Sequence, residues 1–550
     1  MHRDPRRQTR PSRRRTVSGV GLAALLAASA ALATAPVTVL AATSLNVPAD
    51  FPTIQAAIAA ATDGDTVLVG PGTYNEQIDF VRKNITVRSS AGRATTIIDG
   101  GGLGVVVKMD ADPGETPTLR GFTVRNGGGS SSSDGGIDTS GGPALIEDNL
   151  ITGNLACGEG AGITAAFSAA TIRNNTISGN RQSGCSGGVG GGGVSIRGAG
   201  TVQLLGNVIE NNQHGSWAGA VSLFAAGAAR IERNVIRNNT AGSSGGAIEI
   251  VNDSPVTIRN NLFVNNSAPR GGAITVSPPS GSQGADIANN TFVGNTASTG
   301  SAILTEGFAG SVAIYNNMVV GAGPGGVIAC DGTYSTSTPQ ISYNDVVATS
   351  GTRFSGICAG LASNLDAAPT FVNQAAGDYH LAAGSAGIDA GIGIAGGAPA
   401  DDIDGDVRPT DGDGDGVAKV DIGFDETPTL PPPPIAVTID IAPGTSPNVI
   451  KLSGKGLTVT VGLLSTSTFD ARTATTSSLC FGDDGAPAQR DCTLAKPAVV
   501  KDLDRDGDLD LSLVFDTAQT GIDAGDSRAC LTGQTASGRA FAGCDAIVTR

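Results

Sequence analysis

Segments of the form I-x-x-N-x-I-x-x-N recur through this 550-residue chain and constrain its fold more than any other feature. Ile146-Glu-Asp-Asn149-Leu-Ile151-Thr-Gly-Asn154 is the first clear copy. Ile172 to Asn180, Leu204 to Asn212, Ile231 to Asn239, Ile258 to Asn266 and Ile287 to Asn295 follow, and Ile314 to Val320 and Ile341 to Val346 are degenerate copies. The inner Asn residues fall at 149, 175, 207, 234, 261, 290, 317 and 344, at spacings of 26, 32, 27, 27, 29, 27 and 27. Such a period means stacked units, each too small to bury its own apolar residues. Each repeat carries a further apolar strand after small residues: Gly193-Val-Ser-Ile196, Gly219-Ala-Val-Ser-Leu223, Gly246-Ala-Ile-Glu-Ile250 and Gly272-Ala-Ile-Thr-Val276. Three short alternating strands per repeat, with Gly and Asn at the corners, make one coil of a β-solenoid. Helical repeats would show a 3.6-residue period and far fewer than the 80 Gly present. Asn suits the corners because it tolerates the left-handed region and bonds neighbouring backbone. Stacked on successive coils, these residues predict an Asn ladder. At about 4.8 Å per coil, roughly ten to twelve coils give a rod on the order of 50–60 Å.

The ends of the chain differ from this middle. Seven Arg between Arg3 and Arg15, an apolar Val20 to Leu40 run and a small-residue Val39-Leu40-Ala41 site read as a secretory signal over residues 1–42. Arg14-Arg15 could make it a twin-arginine signal. No later stretch is long enough to span a bilayer, and no C-terminal anchor is expected. Removing seven Arg and Asp4 from 35 basic and 50 acidic residues leaves 28 and 49, a net charge near −21. That charge argues against nucleic acid and would repel polyuronates unless calcium bridged the two. The eight Cys fit a secreted, extracellular chain. Cys157/Cys185 and Cys330/Cys358 are each 28 residues apart, about one repeat, and Cys480/Cys492 and Cys530/Cys544 are close pairs, so four local disulfides are expected. A solenoid needs its ends covered. Thr53 can cap a short helix whose stripe is Ile54, Ala57, Ile58 and Ala61, predicting an N-terminal plug.

Phe51-Pro-Thr-Ile-Gln-Ala-Ala-Ile58, Gly64-Asp-Thr-Val-Leu-Val-Gly-Pro-Gly-Thr-Tyr74 and Ile85-Thr-Val87 resemble the opening of the pectin methylesterases and related pectin-lyase-like β-helix families. The resemblance covers residues 45–125 as motif and extends to about 345 as architecture. It implies an all-β chain, a right-handed parallel β-helix over 43–350. It does not carry the activity. The paired Asp with Gln and Arg of those esterases, the Gly-His-Gly of polygalacturonases and the Asp-Pro-His of alginate epimerases are missing. Residues 364–426 resemble the choice-of-anchor Q module of bacterial exported proteins, through Ala368-Pro-Thr-Phe-Val-Asn373, Gly377-Asp-Tyr-His-Leu381, Ile388-Asp-Ala-Gly391, Asp402-Ile-Asp-Gly-Asp-Val-Arg-Pro409 and Val420-Asp-Ile-Gly-Phe-Asp-Glu426. This module is expected to fill 351–430 and close the C-terminal end of the helix. Pro431–Pro434 reads as a stiff linker. Residues 435–550 alternate strands and turns as a small β-sandwich, and Ile439-Asp-Ile-Ala-Pro-Gly444, Phe481-Gly482 and Asp502–Asp510 resemble a module of bacterial extracellular proteins.

The strongest chemical pattern is Asp502-Leu-Asp504-Arg-Asp506-Gly-Asp508-Leu-Asp510. Asp at every second position with Gly after the third reads as a structural calcium loop, with a solvated acidic turn as the alternative. Leu513 at position twelve sets it apart from an EF-hand. Asp411-Gly-Asp413-Gly-Asp415, completed by Asp421, is a second calcium candidate, against a merely flexible acidic loop. On the rod, stacking sets Glu147 beside Arg173, Glu232 beside Arg259 and Glu210 beside Arg237 as outward ion pairs, each contributing about 0.2–1 kcal/mol. Thr164, Ser195, Ser222, Glu249 and Thr275 form a hydroxyl row, taken as outward-facing and broken by one acid. Glu249 with Asp253 is a candidate carboxylate pair for glycoside chemistry, against a lone acid on a polar face. His214 and Trp217 are candidates for stacking on sugar, against packing over the coil edge. Two functions remain. One is a non-catalytic, monomeric surface or matrix rod whose partner is a polysaccharide or cell-envelope glycan. The other is an extracellular polysaccharide lyase, esterase or hydrolase. An enzyme predicts three or more charged groups clustered on adjacent coils, where stacking yields pairs.

Overall fold

The computed structural model describes residues 42–129, 134–182, 190–198, 200–252, 254–277, 284–306, 312–333, 338–359, 361, 364–394, 397–429, 431, 433–484 and 490–550. Residues 1–41 of the expected export signal, Cys185, Asp253 and Pro432 lie outside these. Three parallel sheets wind from Ser44 to Gly356. The first has twelve strands, from Ser44–Val47 to Gln340–Ser342. The second and third have eleven each, from Gly72–Tyr74 to Asp345–Gly351 and from Ile78–Asp79 to Phe354–Gly356. The chain visits the three faces in turn, so each repeat is one coil of a right-handed parallel β-helix. The two apolar positions of the nine-residue motif lie on the first and second faces. Ile146, Ile172, Leu204, Ile231, Ile258 and Ile287 stack in register on one, and Ile151, Ile177, Ile209, Ile236, Phe263 and Phe292 on the other. All are fully buried, and the Phe263 and Phe292 rings stack at 4.7 Å. The Gly-Ala-Ile segments supply the third face.

The corners hold two Asn ladders. One runs through Asn149, Asn175, Asn207, Asn234, Asn261, Asn290, Asn317, Asn344 and Asn364. The other runs through Asn154, Asn180, Asn212, Asn239, Asn266 and Asn295. After Asn149 and Asn154, whose Oδ1 atoms accept from Phe122 N and Gly127 N, each Oδ1 accepts from the backbone N–H and Nδ2 of the Asn one coil earlier, and each Nδ2 also donates to a strand carbonyl, as Asn234 does to Leu204 at 2.9 Å. The side chain thus satisfies the corner's inward polar groups. One expectation is corrected here. The ladder Asn is not the left-handed residue. The residue before it is: Asp148, Asn174, Gly206, Arg233, Asn260, Asn289, Asn316 and Tyr343 on the first ladder have φ of 51–63°. A side chain turned inward to bond backbone and one turned outward in the left-handed region are separate jobs, done by adjacent residues.

The helix Ile54–Ala60 caps the N-terminal end as its stripe predicts. Ile54, Ala57 and Ile58 are buried, and Thr53 Oγ1 accepts from Ala56 N at 3.1 Å. Two charges complement its dipole. Glu76 accepts from Ile54 N and Gln55 N at 3.0 Å each, and the Lys83 ammonium donates to the Ile58, Ala59 and Ala61 carbonyls at 2.7–2.8 Å.

Residues 368–427 lie along the flank of the coils rather than over the last one. The left-handed Asn of three consecutive coils dock them: Asn260 Nδ2 donates to Asp401 O, Asn289 Nδ2 to Asp421 O and Asn316 Nδ2 to Ile392 O, at 2.7–3.0 Å. Leu262, Val264 and Val293, outward on the second face, are buried against Tyr379 and Phe424. The reason is local composition. The outward positions of that face are Thr176, Ser178, Val208 and Glu210 on earlier coils, and turn apolar at Leu262 and Val264. Two four-stranded sheets, built from Ile435–Ala436, Cys480–Asp483, Arg528–Gln534 and Ala540–Ala546 and from Ile439–Ile441, Thr458–Leu463, Leu494–Lys501 and Asp510–Asp516, pack as a β-sandwich around Phe481, Phe515 and Phe541. Cys330–Cys358 joins adjacent coils, and Cys480–Cys492 and Cys530–Cys544 are bonded within the sandwich. Cys157 is also disulfide-bonded.

Candidate functional site

The hydroxyl row exists in register, Thr164 beside Ser195, Ser222, Glu249 and Thr275 on successive third-face strands. It does not face solvent, which corrects the expectation of an outward polar row. The segment entering each third-face strand folds back over it: Gly160 N donates to Thr164 Oγ1 at 3.1 Å and Gly245 N to Thr275 Oγ1 at 3.0 Å. Glu249 is left 3% exposed. Gly245 (φ 64°) is wedged against it, and a Cβ there would sit 2.8 Å from Glu249 Oε2. Burial first, opposed by the Ser244, Ser277 and Thr275 hydroxyls but aided by the Glu306 charge, pushes the Glu249 carboxyl up to about 8. It is a neutral acid at pH 7, able to donate a proton, and its Oε2 has no hydrogen-bond partner.

Beyond Glu249 lies a cluster the sequence reading missed. Ser277 Oγ donates to Glu306 Oε2 at 2.5 Å, and the Arg270 guanidinium bonds both Glu306 and, at 3.1 Å, Asp331. Glu249, Arg270, Glu306 and Asp331 come from four successive coils. The signal was one position further along the strand: Val251 pairs with Ser277, and Glu306 and Asp331 follow the next two third-face strands. The cluster closes on itself through ion pairs.

His214 is 1% exposed in a two-residue strand, its Nδ1 accepting from Ser216 N at 3.1 Å and Trp217 N at 2.9 Å. Burial lowers its pKa to about 4, so the ring is neutral at pH 7. Trp217 is half-buried, with its ring 6.4 Å from that of Phe224. Asp253, the proposed partner of Glu249, lies outside the described residues. Of the expected coil ion pairs, Arg173 binds Glu147 at 2.6 Å and Arg237 binds Glu210 at 2.7 Å. Glu232 and Arg259 are register neighbours but do not pair. Arg259 reaches diagonally to Asp286 on the next coil, and Glu232 takes Arg230 of its own strand at 2.6 Å.

In the sandwich loop, carboxylate oxygens of Asp502, Asp504 and Asp510 lie within 4.8 Å of one another. Asp506 Oδ1 accepts from Asp508 N at 3.0 Å, holding the turn. Desolvation and then the Asp506, Asp510 and Asp504 charges push Asp508 up to about 6, and its Oδ1 is buried without a partner. In the flank module Asp411 and Asp413 come together with Asp389, which the sequence reading did not name. Asp415 lies nearer Lys419, at 3.8 Å. Asp421 turns inward and accepts from Asp389 N and Thr427 N at 2.7 Å each. Asp411 Oδ1 is buried and unpartnered. A third group joins His380, Asp404 and Asp425. Burial would lower the His380 pKa, but Asp378, Asp425 and Asp404 raise it. Hard oxygens carrying unpartnered lone pairs suit calcium in the first two loops.

Residues 103–292 and 188–346 match the family described as the right handed beta helix region. No curated protein matches the chain. The match and the three parallel sheets agree on the fold of this part of the chain, a right-handed parallel β-helix. No helix among the described residues is long and apolar enough to cross a membrane.

Proposed function

We propose that this is an exported, non-catalytic β-helical protein of the cell surface or matrix that engages a glycan, with calcium ordering its two acidic loops. One observation carries the reading. The two coil side chains the sequence offered for sugar chemistry, Glu249 and His214, are sealed at 3% and 1% exposure, out of reach of a substrate. The outward rows instead carry ion pairs, which keep parallel coils soluble and apart from other sheets. The unpartnered oxygens of Asp508 and Asp411 support calcium, held by Asp502, Asp504 and Asp510 in one loop and by Asp389, Asp411 and Asp413 in the other. The disulfides and the likeness of 364–426 to a choice-of-anchor Q module support export.

The test is a glycan array on the whole chain with a parallel activity panel. Binding without product release, together with a melting temperature raised by calcium and lowered by chelator, is the expected result. Release of product from any polysaccharide, lost in Glu249→Gln, overturns it. One observation favours an enzyme: Glu249, Arg270, Glu306 and Asp331 form the cluster of charged groups on adjacent coils that an enzyme predicts, where pairs alone were expected, and Glu249 is held protonated beside the charge of Glu306. Activity abolished by both Glu249→Gln and Glu306→Gln would establish that second reading.

A further inference from the structure

One row of outward side chains on the first face can be followed strand by strand: Leu68, Arg88, Arg120, Glu147, Arg173 and Leu205. Further along, outward Arg residues are matched by acids, Arg230 by Glu232 and Arg259 by Asp286. The pattern breaks at Arg88. It stands directly opposite Arg120, a like-charge pair that is unfavourable unless something negative lies between. Among the described residues Arg88 has no carboxylate within ion-pair distance, and its other neighbour in the row is Leu68. Arg120 is held by Asp148 at 2.9 Å and by Glu147 at 3.4 Å. A third guanidinium, Arg93, is half-buried and fixed by one bond, Nη1 to Asn149 O at 2.9 Å, which leaves its other donors free to bind. Arg88, Arg93 and Arg120 line a pocket of about 390 Å³ together with Ser89, Asp148 and Asn174.

We propose that this pocket binds an oxyanion carried by a glycan, the carboxylate of a uronic acid or a sulfate ester. The proposal rests on the glycan-binding reading and assigns it a place. Arg88, Arg93, Arg120 and Arg173 face Glu147 and Asp148, a local excess of two positive charges. The chain as a whole carries 35 basic and 50 acidic residues, but at physiological salt a charge is felt only over about 8 Å. The local excess therefore governs the pocket. Guanidinium forks match planar and tetrahedral oxyanions through paired N–H donors.

The test is titration calorimetry of the full exported chain with oligogalacturonate, with dextran sulfate and with uncharged dextran. Binding of one anionic probe and not of dextran is expected. It should weaken about tenfold in Arg88→Gln, the loss of one charge-assisted contact, and fall as salt is raised. The stronger anionic probe identifies the group as carboxylate or sulfate. Arg472→Gln, an exposed arginine of the sandwich paired with Asp470, should bind as the parent does. Anionic binding that Arg88→Gln leaves unchanged in a normally melting protein overturns the site, as does binding of neither anionic probe. If neutral glycans bind and anionic ones do not, the site fails while the glycan reading stands.

Discussion

Glu249 offers the sharpest test of how the third face is built. Its carboxyl has an ordinary value of 4.5 and is raised to about 8 in the folded chain. The folded state therefore holds a proton that the unfolded state releases. Stability is fully present below pH 4.5 and is lost as pH rises toward 8, at about 1.4 kcal/mol per unit. Between pH 4.5 and 7 the loss is about 3.4 kcal/mol, and over the whole window it approaches about 5 kcal/mol. At about 2 °C per kcal/mol for a domain of this size, the midpoint falls by about 7 °C between pH 4.5 and 7. Glu249→Gln keeps the shape and removes the proton. The variant should melt within about 2 °C of the parent at pH 4.5 and well above it at pH 8. The difference between the two melting curves is the measurement, because it cancels groups common to both, including Glu426, which burial raises to about 7. A difference that stays constant from pH 4.5 to 8 refutes the reasoning: Glu249 would then titrate alike folded and unfolded, and the loop at Gly245 would not seal it.

Asn234→Ala removes the partner of Asn207 and Asn261 in mid-ladder and orphans buried backbone, and should cost about 3 kcal/mol by urea unfolding with no change of m-value. Tyr343 sits exposed at φ 57°, where Asn316 stands one coil earlier; Tyr343→Asn should stabilise by about 0.5–1 kcal/mol in the same assay. His214 has a depressed pKa of about 4, so its contribution is present above pH 6.5 and lost as pH falls through 4; His214→Gln should flatten that acid-side loss in thermal melts.

Much of the helix was legible because its inward residues repeat. The Ile and Phe stacks, the Asn ladder and the register that sets Glu147 beside Arg173 follow from the period, and the capping helix follows from its own apolar stripe. What the period does not encode is which way a polar position faces. Thr164, Ser195, Ser222, Glu249 and Thr275 alternate with core residues and so read as outward. The chain that precedes each strand returns over them, and the double Gly entering those strands was the available signal. Ion-pair partners were legible to within one neighbour. Arg259 faces Glu232 in register, yet a long side chain reaches Asp286 diagonally, and register alone cannot choose between them. The left-handed corners were misassigned because Arg233 and Tyr343 occupy a conformation their residue types rarely take. In the flank module, Asp389 was missed because it stands 22 residues before Asp411, and only the fold brings them together.

The flank module shows how so acidic a segment stays docked to an acidic rod. Its centre is a cation. Arg408 is fully buried, donating to Glu426 at 2.9 Å and to the carbonyls of Asp421 and Gly423 at 3.1–3.2 Å. Glu426 is further held by Thr410 N and Asp421 N, and Asp402 gathers the N–H groups of Asp404, Gly405 and Asp406 on one oxygen. A buried ion pair contributes little net stability, but removing either partner would strand a charge. The pair therefore fixes the geometry of the module: Asp389, Asp421 and Asp425 are buried around it, and Asp404, Asp413 and Asp415 are left exposed. Docking to the coils uses mainly neutral groups. The amides of Asn260, Asn289 and Asn316, the Tyr315 hydroxyl on Gly397 O and the apolar patch at Leu262, Val264 and Phe424 make the contact, with Arg233–Asp401 as a charged pair at its edge. Neutral amides do not titrate and are little affected by salt. Charge is thus kept for the loops, where a cation could order it, and attachment is assigned to side chains indifferent to that cation. The left-handed Asn260, Asn289 and Asn316 that turn their own corners also face outward with the amides that dock the module. The coil's own geometry supplies the docking row.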